Sequence, residues 1–438
     1  MTKVFSFLIL LNLLLIPALM VNGRSESAVQ NDSAIKDGEY IAVIEGYDWG
    51  AAVSKVILLS DETISSVSKD EFSIQVEKSS DCGEIPEDMA NGERTVIYTY
   101  VSDKERNMVD QGNNITLVLA VAPNLPIGSP IQYFRSETCR GNKWIDYKLT
   151  ITNKTSGDVW NKEVGQIIPL VDQFNLTGSF THGDITLTYA FYEPKPKNPK
   201  SPLIIWLHGG GEGGTDTSIP LLANRAANYA SDEIQFYFDG AYVLVPQTPT
   251  RWMDAGNGGS TSGAENDMYN EALMELIKDF VSAHPGIDAD RIYVGGCSNG
   301  AYMSLKLLLL HPDYFAAGYI SSLAYRSQYI TDQQIESIKN IPIWFVQSAD
   351  DGTTLPEETV LPVYKRLIGA GAQNVHLSFY DHVVDITGFF GGDDYHYSGH
   401  WSWVYLHANK CKYDYDGTPV RLDGRPVTVM EWMAAQSK

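Results

Sequence analysis

The sequence predicts an α/β fold, a mostly parallel sheet with helices on both faces, preceded by a small all-β sandwich. Three observations carry this prediction. Short β-like runs separated by polar loops extend from about Glu39 to Thr152, whereas strand-like and helix-like patterns alternate from about Gln173 onward. A strand pattern, a glycine-flanked turn and a helix pattern follow one another over residues 291–310. The length of 438 residues also suggests at least two domains.

The N-terminal part, residues 36–155, has the pattern of a β-sandwich domain. Alternation and β-branched residues predict strands at residues 40–44, 53–59, 72–76, 95–101 and 115–121. Short strands without a convincing helix favour a sandwich of about 100 residues. Four cysteines permit three full pairings. Cys82 and Cys139 both lie in this part and are a candidate disulfide in an exported protein.

The C-terminal part, residues 170–438, alternates between the two kinds of secondary structure. We expect strands at residues 185–192, 203–207, 241–245, 291–295, 316–321, 343–347 and 375–380. We expect helices at residues 220–229, 265–283, 301–310, 356–368 and 400–407. Strands that alternate with helices form a parallel sheet that is covered on both faces.

The first segment, residues 1–23, has the pattern of a secretory signal peptide. Lys3 supplies the positive end, an apolar run covers residues 5–19, and small residues follow. The alternative is a membrane anchor, but the run is short for a helix that needs about 20 residues to span a bilayer. We therefore expect a secreted protein with no membrane span after signal removal. A net charge of −22 without a long basic run argues against a nucleic-acid partner.

Residues 296–300 read Gly-Cys-Ser-Asn-Gly between an apolar strand pattern and an apolar helix pattern. A Gly-x-Ser-x-Gly turn in this setting is typical of a nucleophile elbow, which exposes the serine hydroxyl at a tight, strained turn. Ser298 is therefore the candidate nucleophile. Cys297 occupies the variable position of the motif, where its side chain is expected to point away from the site.

A serine nucleophile needs a base to accept its proton and a carboxylate to hold that base. In elbow enzymes the acid and then the histidine follow the serine along the chain. His400, at the start of an aromatic helical stretch, is the candidate base, and His396 is the alternative. We predict Asp351 as the acid, with its neighbour Asp350 as the alternative, because catalytic groups gather at the carboxyl ends of parallel strands.

A glycine-rich stretch, residues 208–214, follows another predicted strand. We expect the N–H of Asn299 and one N–H of this stretch, that of Gly210 with Gly211 as the second choice, to form an oxyanion hole. A phosphate-binding loop does not fit, because no Lys-Ser/Thr pair follows the glycines. Trp252 follows a further strand and is a candidate wall of the substrate pocket, with core packing as the alternative.

Four motifs in this order resemble the α/β-hydrolase superfamily: residues 207–212, residues 296–300, the pair Asp350-Asp351 and residues 399–403. More narrowly, the chain is similar to phospholipase/carboxylesterase and prolyl-oligopeptidase-like esterases that carry an N-terminal immunoglobulin-like domain. Residues 46–50, Gly-Tyr-Asp-Trp-Gly, fit that arrangement.

The resemblance implies carboxylic-ester hydrolysis by a triad of Ser298, His400 and Asp351, through an acyl-enzyme intermediate. The expected substrate is a small-molecule or polymer-linked ester, and no metal or organic cofactor is expected. Two alternatives stay open: a prolyl-oligopeptidase-like serine peptidase, and a non-catalytic exported binding or adhesion protein.

Overall fold

A computed structural model describes residues 37–136, 138–195 and 198–438. The signal-peptide prediction for residues 1–23 lies outside this range. From residue 37 onward the chain forms one compact unit. Within the described residues, no helix is both long enough and apolar enough to cross a bilayer.

The N-terminal domain is built almost entirely from strands. In chain order these are β1 Asp37–Tyr47, β2 Gly50–Ile64, β3 Phe72–Ser79, β4 Asn91–Glu93, β5 Val96–Ser102, β6 Gly112–Leu119, β7 Ile131–Arg135, β8 Arg140–Trp144, β9 Asp146–Asn153 and β10 Val159–Ile167, with the short helix α1 Glu87–Ala90 before β4. The hydrogen-bonded order is β4-β3-β9-β10-β1-β2-β6-β5, and β7 and β8 form a separate hairpin. Strand β1 joins the two halves of this order, because it pairs with β2 antiparallel and with β10 in parallel.

Side chains alternate between the core and the solvent along these strands, as the sequence pattern predicts. In β3 the core side is formed by Phe72, Ile74 and Val76. A disulfide joins Cys82 to Cys139 and therefore ties the start of β8 to the loop after β3. The pairing suggested by the sequence is the one that the structure has.

The C-terminal domain contains a second eight-stranded sheet, of order β11-β12-β14-β13-β15-β16-β17-β18. Its strands are β11 Asn175–His182, β12 Ile185–Tyr192, β13 Ser201–Leu207, β14 Tyr242–Gln247, β15 Ile287–Cys297, β16 Ala317–Ser321, β17 Ile343–Ser348 and β18 Val375–Tyr380. The strands from β14 to β18 pair in parallel, and the antiparallel pair β11–β12 closes one edge. Every residue of β13 is buried, as expected of a strand covered on both faces.

Helices cover both faces of this sheet. They are α2 Ser218–Ala223, α3 Asp232–Phe238, α4 Asn270–Ala283, α5 Asn299–Leu310, α6 Asp332–Ile338, α7 Val360–Gly369, α8 Trp403–His407 and α9 Val429–Ala434, and a small hairpin of β19 Arg421–Leu422 and β20 Arg425–Pro426 precedes α9. Two apolar clusters result, one on each side of the sheet. The predicted α/β architecture is confirmed.

Three predicted helices have different bounds in the structure. The helix predicted from residue 265 begins at Asn270, because the Asp267 carboxylate accepts the N–H groups of Tyr269 and Asn270 and holds the preceding segment in a turn. The helix predicted for residues 220–229 is interrupted at Arg225, whose φ of 57° is left-handed. The helix predicted from residue 356 begins at Val360.

Eight strands of the described chain lie outside the predicted ranges: β4, β7, β8, β9, β10, β11, β19 and β20. The longest of them that lie outside the β7–β9 region are β10 and β11. Both alternate polar and half-buried residues, and neither contains a long apolar run. The predicted helix at residues 400–407 consists of a 3-10 turn, Gly399–Trp401, followed by α8.

The two domains contact each other along two segments of the N-terminal one. In the turn between β1 and β2, the buried Asp48 carboxylate pairs with the Arg225 guanidinium of the C-terminal domain. The β7–β8 hairpin lies against the loop after β13, and the indole N–H of Trp144 donates to Ser218 Oγ at 2.9 Å. The hairpin thereby reaches the carboxyl edge of the second sheet.

Candidate active site

Ser298 lies at the tip of β15, where the chain turns directly into α5. Its φ and ψ are 54° and −111°, a conformation that costs free energy for any residue with a side chain. A Cβ atom at Gly296 would lie 2.5 Å from the Leu207 carbonyl oxygen, and one at Gly300 would lie 1.8 Å from the same atom. Only glycine therefore allows β13, β15 and α5 to approach closely enough to form this elbow.

The side chains of His400 and Asp351 meet at the same edge of the sheet. His400 Nδ1 lies 2.9 Å from Asp351 Oδ2 and 3.1 Å from Oδ1. The carboxylate also accepts the Thr354 hydroxyl at 2.6 Å and the Gln347 amide at 2.9 Å. Burial raises the pKa of Asp351, but the hydrogen bonds and charge of His400 and the bonds from Thr354 outweigh it and bring the pKa to about 2. The carboxylate is therefore ionised and fixed.

The alternative acid and base have other partners. Asp350 accepts a hydrogen bond from His382 Nδ1 at 2.8 Å, and no contact between Asp350 and His400 is found within the described residues. His396 stacks on His382 with ring centroids 4.2 Å apart, in an exposed loop. Of the four candidates, Asp351 and His400 are the pair that the structure brings together.

The glycine loop, residues 208–214, lies beside the elbow. A Cβ at Gly210 would lie 2.9 Å from Asn299 Nδ2, so this glycine packs directly on the residue after the serine. Among the described residues, no backbone acceptor is found for the N–H groups of Gly210 and Gly211. Donors without a partner at the edge of a cavity are what an oxyanion hole requires.

The buried side chain of His208 connects this loop to the segment after β14. Its Nδ1 lies 2.6 Å from the Gly209 carbonyl oxygen, and its Nε2 accepts the Thr248 N–H at 3.2 Å. Burial lowers the pKa of His208 to about 4, so the ring is neutral and can bind one donor and one acceptor at once. The side chain is structural.

The N-terminal domain supplies a wall of the site that the sequence did not reveal. The Asn142 N–H donates to the Gly211 carbonyl oxygen at 2.6 Å, and its side-chain amide donates to Glu212 Oε1 at 2.7 Å. A Cβ at Gly211 would lie 3.0 Å from the ring of Tyr133. The β7–β8 hairpin therefore packs on the glycine loop and holds it in position.

Glu212 is the buried centre of this contact. Burial raises its pKa to about 7, although hydrogen bonds from Asn142, Gly209 and Asn224 act in the opposite direction. The Cys297 thiol donates to Asn224 Oδ1 at 3.3 Å in the same network. Because burial raises the pKa of Cys297 well above its ordinary value, this thiol stays protonated. The Cys297 side chain is fully buried and does not line the cavity beside Ser298.

Ser298, His400, Asn299, Gly210 and Gly211 line one cavity of about 1490 Å³ between the two domains. Trp252 does not line it, which corrects the predicted role in the substrate pocket. Its side chain is fully buried and packs against the rings of His208 and Tyr269. The preceding residue, Arg251, lines the cavity instead.

Models of two protein families match the two domains of this chain. Residues 39–163 match the family model described as the esterase Ig-like N-terminal domain, and residues 193–356 match that of the phospholipase/carboxylesterase family. The chain belongs to the α/β-hydrolase superfamily. Its N-terminal domain is accordingly of the immunoglobulin-like type found in esterases, and its catalytic domain is of the carboxylesterase family.

Individual relatives are distant. The hydrolase is 27% identical over 173 residues to a probable carboxylesterase SOBER1-like protein of Arabidopsis thaliana, covering 35% of this chain and 62% of that protein. It is 26% identical over 156 residues to feruloyl esterase B of Talaromyces funiculosus, covering 35% of this chain and 41% of that protein. The chain therefore spans less than two thirds of either relative.

One solved structure shares both domains of the fold. The crystal structure of a thermostable esterase superposes with a TM-score of 0.72 at 21% identity, and the match covers 91% of this chain and 99% of that one. At this identity the likeness shows a shared fold.

Proposed function

We propose that the protein is an exported serine carboxylesterase that works through an acyl-enzyme intermediate. The single observation that carries the proposal is the convergence on one cavity of a strained serine, Ser298, and a histidine, His400, that is held by a buried carboxylate, Asp351. The carboxylesterase-family match of the catalytic domain supports ester rather than amide substrates.

In the first half of the reaction, Ser298 Oγ attacks the ester carbonyl while His400 Nε2 takes the hydroxyl proton. Asp351 holds Nδ1–H of the ring, fixes its tautomer and stabilises the imidazolium that forms. The N–H groups of Asn299 and Gly210, with Gly211 as the second candidate in the glycine loop, stabilise the tetrahedral oxyanion. One such donor contributes about 3 to 4 kcal/mol in comparable enzymes.

The first half ends when the tetrahedral intermediate collapses: the ester C–O bond breaks, His400 protonates the leaving alcohol, and the acyl carbon stays bonded to Ser298 Oγ. The second half hydrolyses this acyl-enzyme. Water enters, His400 takes its proton, and the hydroxide attacks the acyl-enzyme. Collapse of the second tetrahedral intermediate returns the proton to Ser298 Oγ and releases the carboxylic acid. In this cycle Ser298 is the nucleophile and His400 is the acid and base, whereas the substrate supplies the electrophilic carbonyl carbon and the solvent supplies the water.

Export is proposed from the pattern of residues 1–23. The disulfide between Cys82 and Cys139 is consistent with an oxidising compartment. Expression of the full chain followed by N-terminal sequencing of the protein in the medium tests this. A protein retained in the cytoplasm with its leader intact would refute it.

The activity is tested by hydrolysis of 4-nitrophenyl esters from acetate to long acyl chains, with Ser298→Ala as the matched variant and 4-nitroanilides of the same acids as amide substrates. We expect ester turnover that falls by about 10⁴-fold or more in the variant. Turnover of the anilides with equal efficiency would indicate a peptidase. A folded wild-type protein without activity on either series would indicate a binding protein.

A further inference from the structure

Three arginines at the mouth of the cavity have no part in the chemistry above. Arg135 and Arg140 lie on the β7–β8 hairpin and Arg251 lies on the loop after β14, and all three line the cavity. Within the part of the chain that the structure describes, none of them forms an ion pair. The whole chain has 54 acidic and 32 basic side chains, so unpaired cations at this place are the opposite of its average.

Arg135 and Arg140 are direct cross-strand partners in the hairpin. Like charges directly opposite each other in an antiparallel pair are destabilising. An anion between two guanidinium groups removes that repulsion and receives charge-assisted hydrogen bonds from both. The pair therefore has the chemistry of an anion-binding site.

The hairpin aims this pair toward the reacting centre. The next pair on the same face of the hairpin is Tyr133 and Asn142, the two residues that contact the glycine loop at Gly211. Two residues along a strand correspond to roughly 7 Å. Arg135 also lies over the ring of Tyr133, with the guanidinium carbon 5.5 Å from the ring centroid. The arginine pair thus lies roughly 7 Å along the hairpin from the pair that contacts Gly211.

The hairpin tip is held in place before any ligand binds. Cys139, adjacent to Arg140, is joined to Cys82 by the disulfide. Across the turn, the Ser136 N–H donates to the Cys139 carbonyl oxygen at 3.1 Å. A constrained backbone reduces the ordering cost of binding.

Arg251 lines the same cavity from the hydrolase domain. Its guanidinium donates to the Gly258 carbonyl oxygen at 3.2 Å, which fixes its direction. Its Nε is buried and has no hydrogen-bond partner among the described residues. A buried donor without a partner is costly, and a ligand acceptor would satisfy it.

The acidic residues that line the same cavity already have partners. Asp48 pairs with Arg225, Glu212 accepts the amide of Asn142, and Asp254 accepts the Thr250 hydroxyl at 2.7 Å. Among the described residues, none of these carboxylates forms an ion pair with Arg135, Arg140 or Arg251.

We propose that Arg135 and Arg140, with Arg251 on the hydrolase side of the same cavity, bind an anionic group of the substrate, so that the enzyme prefers esters that also carry a carboxylate. This inference rests on the proposed esterase function. It predicts substrates in which a carboxylate lies several bonds from the scissile ester.

The test compares pairs of esters that differ only in charge. On the acyl side, mono-4-nitrophenyl adipate is compared with 4-nitrophenyl hexanoate. On the alcohol side, 4-acetoxybenzoate is compared with 4-acetoxybenzamide. We expect kcat/KM for the anionic member to exceed that of the neutral one by about tenfold on the side that reaches the arginines, and this preference to shrink in 0.5 M salt because screening weakens exposed charges.

The matched variants are Arg135→Gln/Arg140→Gln and a control, Lys104→Gln/Lys148→Gln, which removes the same charge from exposed positions of the same domain outside the cavity. The arginine variant should lose the preference for the anionic ester, and the lysine variant should keep it. Equal rates for charged and neutral esters in the wild type, or a preference that survives in the arginine variant, would overturn the inference.

A binding measurement separates this inference from the proposed function. Calorimetry with monomethyl adipate is carried out on Ser298→Ala, with and without the two arginine substitutions. A Kd that rises about tenfold on removal of the arginines supports the anion site even if no ester is turned over, and an unchanged Kd refutes it. Absence of turnover in the wild type refutes only the esterase function.

Discussion

The contact between Asn142 and the glycine loop gives a prediction that depends on both domains. In Asn142→Ala the backbone bond to Gly211 stays, but the 2.7 Å hydrogen bond to Glu212 is lost. A hydrogen bond to a buried ionised group contributes about 2 kcal/mol, and one to a neutral group about 1 kcal/mol. Loss of this bond allows the glycine loop, and with it the oxyanion donors, to move. If the full loss of about 2 kcal/mol is taken from stabilisation of the transition state, kcat falls about 30-fold and KM changes little.

The pH dependence supplies an independent readout. Glu212 has a pKa raised to about 7 by burial, above its ordinary value near 4.5. Between those two pH values the folded protein holds a proton on Glu212 that the unfolded chain has already released. The free energy of unfolding therefore falls as pH rises through this range, and the fall is complete above about pH 7. Because the Asn142 bond stabilises the ionised form, Asn142→Ala should lose about 2 kcal/mol of unfolding free energy at pH 8 but about 1 kcal/mol at pH 5.

The control is Trp144→Phe. This change removes a different hydrogen bond between the hairpin and the hydrolase domain, from the Trp144 indole N–H to Ser218 Oγ at 2.9 Å, at the end of the hairpin far from the arginine pair. We expect a loss of about 1 kcal/mol in stability that does not depend on pH, with kcat unchanged. Urea unfolding and ester kinetics at both pH values measure all of this. If Asn142→Ala kept kcat within about threefold of the wild type, or if its stability loss were the same at both pH values, the positioning role would be refuted.

Four other predictions are checked by ester kinetics or by unfolding measurements. Asp351→Asn should lower kcat by about 10⁴-fold, whereas Asp350→Asn should change it by less than about tenfold; equal losses would mean that both carboxylates serve the histidine. Because the pKa of Asp351 is depressed to about 2, its ionised form adds about 2 kcal/mol to the free energy of unfolding above pH 4. This contribution is lost as pH falls toward 2, so the stability of Asp351→Asn should lack this part of the pH dependence in acid unfolding. Cys297→Ala should keep activity within severalfold, since the buried thiol does not line the cavity; abolished turnover in a folded variant would contradict this. Cys82→Ser/Cys139→Ser should lower the unfolding free energy by about 4 kcal/mol in urea titrations, because the bridge closes a loop with a sequence separation of 57.

The elbow could be predicted from the sequence because all its determinants are local. Strand, turn and helix follow within about twenty residues, and the glycines at 296 and 300 report a steric limit that no other residue satisfies. The order of acid and histidine along the chain also follows from the topology of a parallel sheet. The choice between Asp351 and Asp350 could not be made in this way, because adjacent side chains of a loop point in different directions.

The contribution of the hairpin could not be predicted. Asn142 and Glu212 are 70 residues apart in the chain, and no motif marks a polar residue in a β-sandwich as part of a distant site. Trp252 illustrates the same limit at short range. The sequence placed it correctly after a sheet strand, but the turn directs Arg251 to the cavity and Trp252 to the core, a difference of one residue.

The contact between the hairpin and the glycine loop determines which changes of sequence the hairpin can accept during evolution. Its closest contact is between backbone atoms, the Asn142 N–H and the Gly211 carbonyl oxygen, so many side-chain replacements elsewhere in β7 and β8 leave it intact. A change of length does not, because side chains on a strand alternate between faces and a one-residue insertion would turn every residue beyond it the other way. Natural variants of this hairpin should therefore differ widely in composition while keeping the same number of residues.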